Sequence, residues 1–293
     1  MKKKHSLMNR KKTVLGMALF SPALIVFLLG FTYPLVRIVM FAVTTPDGDI
    51  TFDVIGSVFS DSTLRTCIKN SLIFTIVSTS GHICLGFFLA SMMNIEINPK
   101  FIKIMRSAMI IPWAISPVVV ATIFRLLYHP ELSVFSEFYR TNPVMAQGVL
   151  ANENWALLFV IIINVWYATP FYFLLILARM QSIPGEIYQA ASIDGTGYFG
   201  KMIYISLPML KQLIVTLAIF DIVASLNTFD LIWLTTMGGP GTSTEVLATY
   251  IYRTAFRGSI DFEYASAMGL VLLMTIVLIS GAIWFLGKDK TGE

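Results

Sequence analysis

Six long apolar stretches, separated by short polar segments, run through this chain. About 20 apolar residues in a helix are needed to cross the hydrocarbon core of a bilayer, where a helix satisfies its own backbone hydrogen bonds. The sequence therefore predicts an all-α polytopic membrane protein with six transmembrane helices. The predicted spans are Val14 to Val43, Asn70 to Met93, Ile104 to Tyr128, Trp155 to Met180, Leu213 to Met237 and Tyr264 to Leu286.

The composition supports a membrane protein and excludes other classes. Hydrophobic residues make up 56 % of the 293 residues and charged residues only 13 %, with a mean hydropathy of +0.75. A soluble domain has roughly a quarter of its residues charged, so a disordered chain, a disulfide scaffold and an ordinary cytosolic enzyme are excluded. The two cysteines, Cys67 and Cys84, and the three histidines are too scattered in sequence to predict a metal site.

The first residues, MKKKHSLMNRKK, precede an apolar run and resemble the start of a signal peptide or of a retained first helix. The apolar run continues to Val36 without a small-x-small cleavage pattern, which favours a retained helix. We therefore expect a basic cytoplasmic N-terminus at residues 1–13, a transmembrane domain at 14–287 and a cytoplasmic tail at 288–293.

The positive charges give the predicted orientation. Two thirds of the 21 lysine and arginine residues fall on one side of the membrane when the N-terminus is placed in the cytoplasm. Short cytoplasmic loops carry such an excess of positive charge, so both termini are predicted to be cytoplasmic. The N-terminal lysines are expected to bind anionic lipid of the bilayer and do not form a nucleic-acid patch.

One predicted cytoplasmic segment, residues 182–208, is too long for a simple turn. Ser182, Pro184 and Glu186 are typical of a helix start, with a capping hydroxyl, an early proline and an acid in the first turn. A short helix is predicted from Gly185 to Ile193. This local pattern fits an interfacial amphipathic linker as well as a docking element for another protein.

The second half of this segment is predicted to turn and form another short helix. Asp194-Gly195 is expected to end the first helix, because glycine adopts turn conformations at little cost. The second helix is predicted from Tyr198 to Ser206. It is expected to end at Leu207-Pro208, since the residue before a proline disfavours helical geometry.

The segment contains three short motifs in order, which are Gln189-Ala190-Ala191, Asp194-Gly195-Thr196 and Ile205-Ser206-Leu207-Pro208. They resemble the cytoplasmic EAA motif of permease subunits in binding-protein-dependent ABC importers. That pattern is E-A-A, then D-G-A, then an aromatic residue and I-x-L-P. The chain departs from it at Gln189, Thr196 and Met202, where the family usually has glutamate, alanine and phenylalanine.

Further blocks in the same order resemble the carbohydrate-uptake branch of this family. The turn Gly238-Gly239-Pro240-Gly241 is typical of the maltose- and glycerol-phosphate-permease type within that branch. The other blocks are Pro22-Ala23, Tyr33-Pro34, Asn70-Ser71, Arg106 with Ile111 to Pro117, Phe229 to Thr244, Tyr250 to Tyr252, Ala255-Phe256 and Tyr264-Ala265.

The resemblance implies the type I ABC importer permease fold, with a cytoplasmic coupling helix, in the cytoplasmic (inner) membrane of a bacterium. The implied partners are a second, different permease subunit, an ABC ATPase dimer, an extracytoplasmic solute-binding protein and a sugar. ATP and magnesium would be bound by the ATPase, and no cofactor is expected in this chain. The residues implied in ATPase coupling are Glu186, Gln189, Ala190, Ala191, Asp194 and Gly195.

The residues themselves also indicate that another subunit must supply the energy. The sequence has no G-x-x-x-x-G-K-[ST] motif, and the glycine-rich turn at Gly238 has no lysine to reach a phosphate. That turn is also predicted to be external, where no ATP is available. We therefore expect a transport subunit that is not itself an enzyme.

Two spans each carry a triplet of residues spaced i, i+4 and i+7, which places each triplet on one helical face. The triplets are Asp221, Ser225 and Thr228 in the fifth span and Asn164, Ala168 and Phe171 in the fourth. They match positions that line the sugar site in maltose-type permeases. Asp221 is expected to accept hydrogen bonds from sugar hydroxyls and Phe171 to stack on a sugar ring. The alternative for the polar members is that they only hold helices together.

Three function classes are compatible with the residues. The first is an ABC importer permease for a carbohydrate. The second, an ion-coupled secondary transporter, is expected to have repeated halves and paired intramembrane acids, whereas this sequence offers only Asp221 and Asp230. The third, a membrane scaffold subunit, needs no polar face in the fourth and fifth spans. His82, which lies among apolar neighbours, is interpreted as a packing residue.

Overall fold

The structure is a computed structural model and describes residues 17, 19–44, 49–94, 99–258 and 260–287. Within these ranges the chain is almost entirely helical, with one isolated β-bridge between Thr44 and Ile50. Five helices are long and apolar enough to cross a membrane, and one bent helix pair brings the number of spans to six. The all-α prediction is therefore confirmed. The predicted segments 1–13 and 288–293, and the predicted start of the first span, lie outside the described residues.

The helices of the described residues are numbered in chain order. They are α1 (Leu19–Val43), α2 (Asp53–Ser60), α3 (Ser62–Met93), α4 (Pro99–Ala114), α5 (Pro117–Leu127), α6 (Ser136–Thr141), α7 (Ala156–Met180), α8 (Gly185–Ile193), α9 (Tyr198–Leu226), α10 (Asp230–Thr236), α11 (Leu247–Phe256) and α12 (Phe262–Gly287). Helix α3 begins at Ser62 rather than at Asn70, because the side chain of Asp61 caps it by accepting from the N–H of Thr63. The predicted helix Gly185–Ile193 is confirmed as α8.

The third predicted span is broken into two helices, α4 and α5, which are bent by 92°. Pro117 is at the start of α5, and Ser116 before it is extended, with φ −62° and ψ 139°. A proline ring clashes with a helical residue before it, so the chain leaves the helix at this point. The expectation of one continuous helix from Ile104 to Tyr128 is therefore wrong.

The predicted break before Pro208 is also wrong, because α9 runs through it without interruption from Tyr198 to Leu226. A π-helical turn at Met202–Ser206 precedes the proline, and the Leu207 N–H donates to the Met202 carbonyl five residues back. The hydrogen-bond pattern therefore shifts just where Pro208 has no N–H to donate. The predicted second cytoplasmic helix and the fifth span are one helix.

The fifth span also ends earlier than its predicted limit at Met237. Helix α9 stops at Leu226, and the next helix, α10, begins at Asp230. Asn227 and Thr228 use their side chains to donate to the carbonyls of Val223 and Ala224, at 2.7 and 3.1 Å. Side chains that compete for backbone groups in this way favour a helix end.

The core lies where α3, α7 and α9 pack together. Small residues let α3 approach α7 closely: a Cβ on Gly86 would lie 3.0 Å from the backbone nitrogen of Phe173, and one on Gly81 would lie 2.8 Å from Val165. Most apolar side chains of α1 are exposed, and most of those of α12 are exposed or half-buried. The buried cluster between the three helices consists of Ala90, Tyr172, Phe173, Ile176, Leu177, Met180, Leu210 and Leu217.

Candidate functional site

A cavity of about 210 Å³ lies between α3, α4, α7 and α9. The residues predicted from the fourth and fifth spans all contribute to its wall, although the two triplets belong to different helices. The structure therefore brings the six residues together, and their contact with a substrate stays a prediction. The wall is formed by His82, Trp113, Asn164, Tyr167, Ala168, Phe171, Tyr172, Phe220, Asp221, Ala224, Ser225 and Thr228.

Aromatic rings form one part of this wall around Phe171. The Phe171 ring stacks on Trp113 with a centroid distance of 5.4 Å and lies 5.7 Å from Phe220. The Tyr172 ring is nearly perpendicular to the Phe171 ring, with 5.3 Å between the ring centroids. Such rings offer apolar faces on which a sugar ring can stack. Trp113 therefore belongs to this wall.

The uncharged polar members of the two triplets occupy different settings. Asn164 and Ser225 are buried within the helices that carry them. Thr228 lies beyond the end of α9, so the expectation that it continues the helical face of Asp221 is wrong. It still lines the cavity, because the chain turns at Asn227 and keeps Thr228 beside the last turn of the helix.

The carboxylate of Asp221 is already engaged by two other residues of the chain. The Nδ1 atom of His82 lies 3.1 and 3.0 Å from its two oxygens, and the Tyr172 hydroxyl donates to Oδ1. Asp221 is 2 % exposed. Part of its hydrogen-bonding capacity is therefore used within the chain, and its contact with sugar hydroxyls stays a prediction.

His82 is the functional candidate that the sequence interpretation missed. It is buried, and its contacts are Asp221, Tyr172 and the carbonyl of Asn164. The sequence contains a signal for this residue, because polar side chains recur with helical spacing along α3. The structure shows that all of them are buried. These residues are Thr75, Ser78, Thr79 and His82.

The predicted coupling segment forms a separate, exposed element. Every residue of α8 is at least partly exposed, and the side chains of Gln189 and Ala190 are exposed. The Ser182 hydroxyl donates to the Arg179 carbonyl at 2.8 Å. The expectation that Ser182 caps α8 is therefore wrong, and Pro184 occupies the position before the helix.

A left-handed glycine ends α8. Asp194 is the last residue before the turn, and Gly195 has a φ of +78°. The Thr196 N–H donates to the Ala191 carbonyl at 2.8 Å, a bond that commonly closes the end of a helix after a left-handed residue. The sequence prediction that Gly195 is needed for its backbone conformation is therefore confirmed in its geometry.

Behind α8 lies a larger cavity of about 780 Å³, between this helix, the C-terminal ends of α3 and α7 and the N-terminal end of α9. Two polar contacts bridge it: the hydroxyls of Tyr188 and Ser206 lie 2.9 Å apart, and the Lys201 ammonium contacts the Ser192 hydroxyl. Helix α8 is thus held away from the transmembrane core by a few polar contacts.

On the opposite side, the turn Gly238–Gly241 is tied to the start of the transmembrane core. The side-chain amide of Asn70 donates to the carbonyls of Thr242, Ser243 and Glu245 at 3.0 to 3.2 Å. Gly238 has a φ of +87°, and a Cβ there would lie 2.6 Å from a carboxylate oxygen of Glu245. The glycine is therefore required both for its backbone conformation and for its lack of a side chain.

The Glu245 carboxylate behind this turn is fully buried and pairs with Arg253, with 3.0 Å between Nη1 and Oε2. Burial raises the pKa of Glu245, and attraction to Arg253 opposes part of that shift. Asn70-Ser71 and the glycine turn, two separate blocks of the sequence pattern, are thus parts of one buried polar arrangement.

The sequence of this chain is similar to the sequences of known proteins. Residues 82–286 match the family described as "Binding-protein-dependent transport system inner membrane component". The sulfoquinovosyl glycerol transport system permease protein SmoG of Agrobacterium fabrum is 31 % identical over 268 residues, which cover 88 % of this chain and 85 % of SmoG. The probable ABC transporter permease protein y4oQ of Sinorhizobium fredii is 33 % identical over 284 residues, which cover 92 % of this chain and 89 % of y4oQ.

The fold is also similar to that of a chain in a solved complex. That structure is the bacterial alginate ABC transporter in complex with an alginate pentasaccharide-bound periplasmic protein. The TM-score is 0.82 with 24 % sequence identity, and the match covers 98 % of this chain and 99 % of that chain.

Proposed function

This chain belongs to the family of inner membrane components of binding-protein-dependent transport systems, the permease subunits of ABC importers, and we propose that it forms half of the pathway for a sugar or oligosaccharide. The family resemblance predicted from the motif blocks is confirmed by the match over residues 82–286. The identity of the sugar and the route through the chain are parts of the proposal.

The composition of the cavity wall supports a sugar as the substrate. Sugars are bound by stacking on aromatic faces and by hydrogen bonds to their hydroxyls, and the wall offers Phe171, Trp113, Asn164 and Ser225 for these contacts. SmoG is named for sulfoquinovosyl glycerol transport, and the similar structure is an alginate ABC transporter. The single observation that carries the proposal is that two triplets from separate helices line one cavity in a chain of this family.

Energy for transport is proposed to come from an ABC ATPase dimer that binds ATP and magnesium. The chain has no phosphate-binding loop of its own. The exposed helix α8 and the turn after it offer a docking surface on the cytoplasmic side, with small side chains that allow close approach. The residues proposed to contact or position the ATPase are Glu186, Gln189, Ala190, Ala191, Asp194 and Gly195.

A second, different permease and an extracytoplasmic solute-binding protein are proposed to complete the importer. Most of the cavity wall comes from α7 and α9, with His82 of α3 and Trp113 of α4 beside them, and we expect a closed route through the bilayer to need further helices from a partner. The exposed apolar faces of α1 and α12 are available for lipid and for that partner. The charge distribution supports an inner-membrane location with both termini cytoplasmic.

The requirement for a different second permease is tested by reconstitution. Uptake into proteoliposomes is measured with the sugar that the cognate binding protein retains on purification, after co-purification of this chain with its ATPase. The four-protein importer is expected to transport, and omission of the second permease is expected to abolish uptake. Transport by this chain, the ATPase and the binding protein alone would refute the heterodimer. Failure of this chain to co-purify with any ATPase would refute the importer assignment.

A further inference from the structure

A histidine and an aspartate form a buried ion pair in the wall of the candidate substrate cavity. His82 belongs to α3 and Asp221 to α9, and their side chains are 1 % and 3 % exposed. The Nδ1 atom of His82 lies 3.0 Å from Oδ2 and 3.1 Å from Oδ1 of Asp221. Buried ionised side chains are strongly disfavoured unless they are paired, so the two residues depend on each other.

The hydrogen-bond partners of the histidine ring indicate its protonation. On one side Nδ1 faces the carboxylate, and on the other Nε2 lies 3.2 Å from the backbone carbonyl of Asn164. With the carboxylate ionised both partners are acceptors, and the ring satisfies both when each nitrogen carries a proton. An imidazolium with a carboxylate and a neutral imidazole with a carboxylic acid both satisfy these contacts, and in either form the pair has a net charge of zero.

Tyr172 of α7 fixes the pair from a third helix. Its hydroxyl donates to Oδ1 of Asp221, and its ring lies parallel to the His82 ring, with 5.0 Å between centroids and 2° between planes. Oδ1 thus faces two donors and Oδ2 faces His82, and the Thr79 hydroxyl of α3 is a further neighbour of the carboxylate. A carboxylate has about four acceptor sites, so Asp221 keeps acceptor capacity.

We propose that His82 is a positioning and specificity residue of the cavity, which cancels the charge of Asp221 and leaves its carboxylate as an oriented hydrogen-bond acceptor. This inference rests on the proposed function, in which the cavity carries a sugar. All three residues lie in the cavity wall. An uncompensated carboxylate would repel anionic solutes in the cavity, whereas the paired one admits neutral and anionic sugars.

The local charge is measured with a reporter thiol that needs no transport. Ala224 is exposed in the cavity wall and lies three residues from Asp221 on the same helix, a spacing of about 5–6 Å between Cβ atoms. Ala224→Cys is introduced into a Cys67→Ser, Cys84→Ser background, because these are the chain's own cysteines. The assembled importer is then treated at low ionic strength with trimethylammonioethyl or sulfonatoethyl methanethiosulfonate. The ratio of the cationic to the anionic reaction rate reports the local charge.

The His82→Gln variant keeps an N–H donor for Asp221 and removes the positive charge. We expect the rate ratio to rise about tenfold, as Coulomb attraction and repulsion at about 6 Å in water-like surroundings predict. The double variant His82→Gln, Asp221→Asn is neutral at both positions and is expected to return the ratio to the parent value. The single variant Asp221→Asn can be tested even if His82→Gln does not fold. It is expected to leave the ratio of the cationic to the anionic reaction rate unchanged or to lower it.

An unchanged ratio in His82→Gln, a double variant that does not restore the parent value, or a rise in Asp221→Asn would each overturn the proposal. A reporter that reacts with neither reagent would also overturn it, because the cavity would then be closed to solutes. A purely structural role for the pair predicts changes in stability without this dependence on reagent charge. The thiol reaction needs no sugar, so failure of the proposed sugar transport is seen separately, in uptake.

Discussion

Replacement of Gly195 by valine tests whether the turn after α8 transmits ATPase movement. Gly195 has a φ of +78°, and no heavy atom among the described residues lies within 4 Å of the position of an added Cβ. The substitution therefore meets open space, and its cost comes from the backbone alone. A left-handed residue with a side chain costs roughly 1–2 kcal/mol, which corresponds to a 5- to 30-fold change in the population of that conformation.

Gly197 provides a matched control two residues away. A Cβ there also meets open space, but its backbone is ordinary, with φ −71° and ψ 176°. We expect Gly195→Val to lower both sugar uptake and binding-protein-stimulated ATP hydrolysis about 5- to 30-fold, and Gly197→Val to lower neither. Gly195→Asn should fall between them, because asparagine tolerates the left-handed region.

The assay is uptake and ATP hydrolysis by the complete importer in proteoliposomes, after the amount of assembled complex has been equalised. Assembly itself should survive in Gly195→Val, because the transmembrane helices are not changed. Wild-type uptake in Gly195→Val, or an equal loss in Gly197→Val, would show that the left-handed turn does not control coupling.

Three further predictions concern the glycine turn at Gly238 and the start of α3, and they are checked by thermal unfolding of the purified complex in detergent. Gly238→Ala should lower the melting temperature by several degrees, because its Cβ would lie 2.6 Å from Oε2 of Glu245; an unchanged value would refute the close fit. Arg253→Met should cost roughly 3 kcal/mol by leaving Glu245 buried without a partner, and adding Glu245→Gln should recover most of that loss. Burial acts to raise the pKa of Asp61, but hydrogen bonds, first from Tyr250, outweigh it and lower the pKa. Asp61→Asn should therefore destabilise the protein at pH 7, and the difference should vanish as the pH falls below the ordinary value of 3.8 and through the lowered pKa.

The apolar stretches located the membrane helices well, and their failures have identifiable causes. The predicted ends at Met93 and Met180 agree with α3 and α7, because a long apolar run and a following polar segment define a span directly. The fifth span was extended to Met237, since α10 is apolar too. Its Leu231 and Ile232 are buried inside the protein, and hydropathy does not separate residues that face protein from residues that face lipid.

The sequence alone also does not determine whether a proline breaks a helix. Pro117 breaks a span, whereas Pro208 lies in an uninterrupted helix, and the sequence signal is the same in both places. The difference lies in the preceding residues. Ser116 leaves the helix, whereas Met202–Ser206 form a π-helical turn that already shifts the hydrogen bonds. Which solution a chain adopts depends on packing around the helix, and residue type alone does not determine it.

Part of the candidate site could be predicted from local spacing in the sequence. The rest depends on contacts between residues that are far apart in the chain. Spacing of i, i+4 and i+7 is local, and it placed Asn164 and Asp221 on faces that meet at one cavity. The partner of Asp221 is His82, 139 residues earlier in the chain, and no helical period reports which helix a given face will meet. His82 was consequently interpreted as packing among apolar neighbours, although its ring pairs with the one acid of the cavity wall.

The ion pair also changes the choice that the sequence posed for Asp221, between a cavity residue and a residue that holds helices together. An acid inside the membrane is costly unless it is paired or faces a water-filled cavity. Asp221 meets the first condition, because it is bound to His82 and Tyr172, and it also lies in the wall of the candidate cavity. The contacts that join α3, α7 and α9 are the same contacts that orient the carboxylate. Removing Asp221 should therefore weaken helix packing and alter the cavity together, and only a measurement of charge in the cavity separates the two effects.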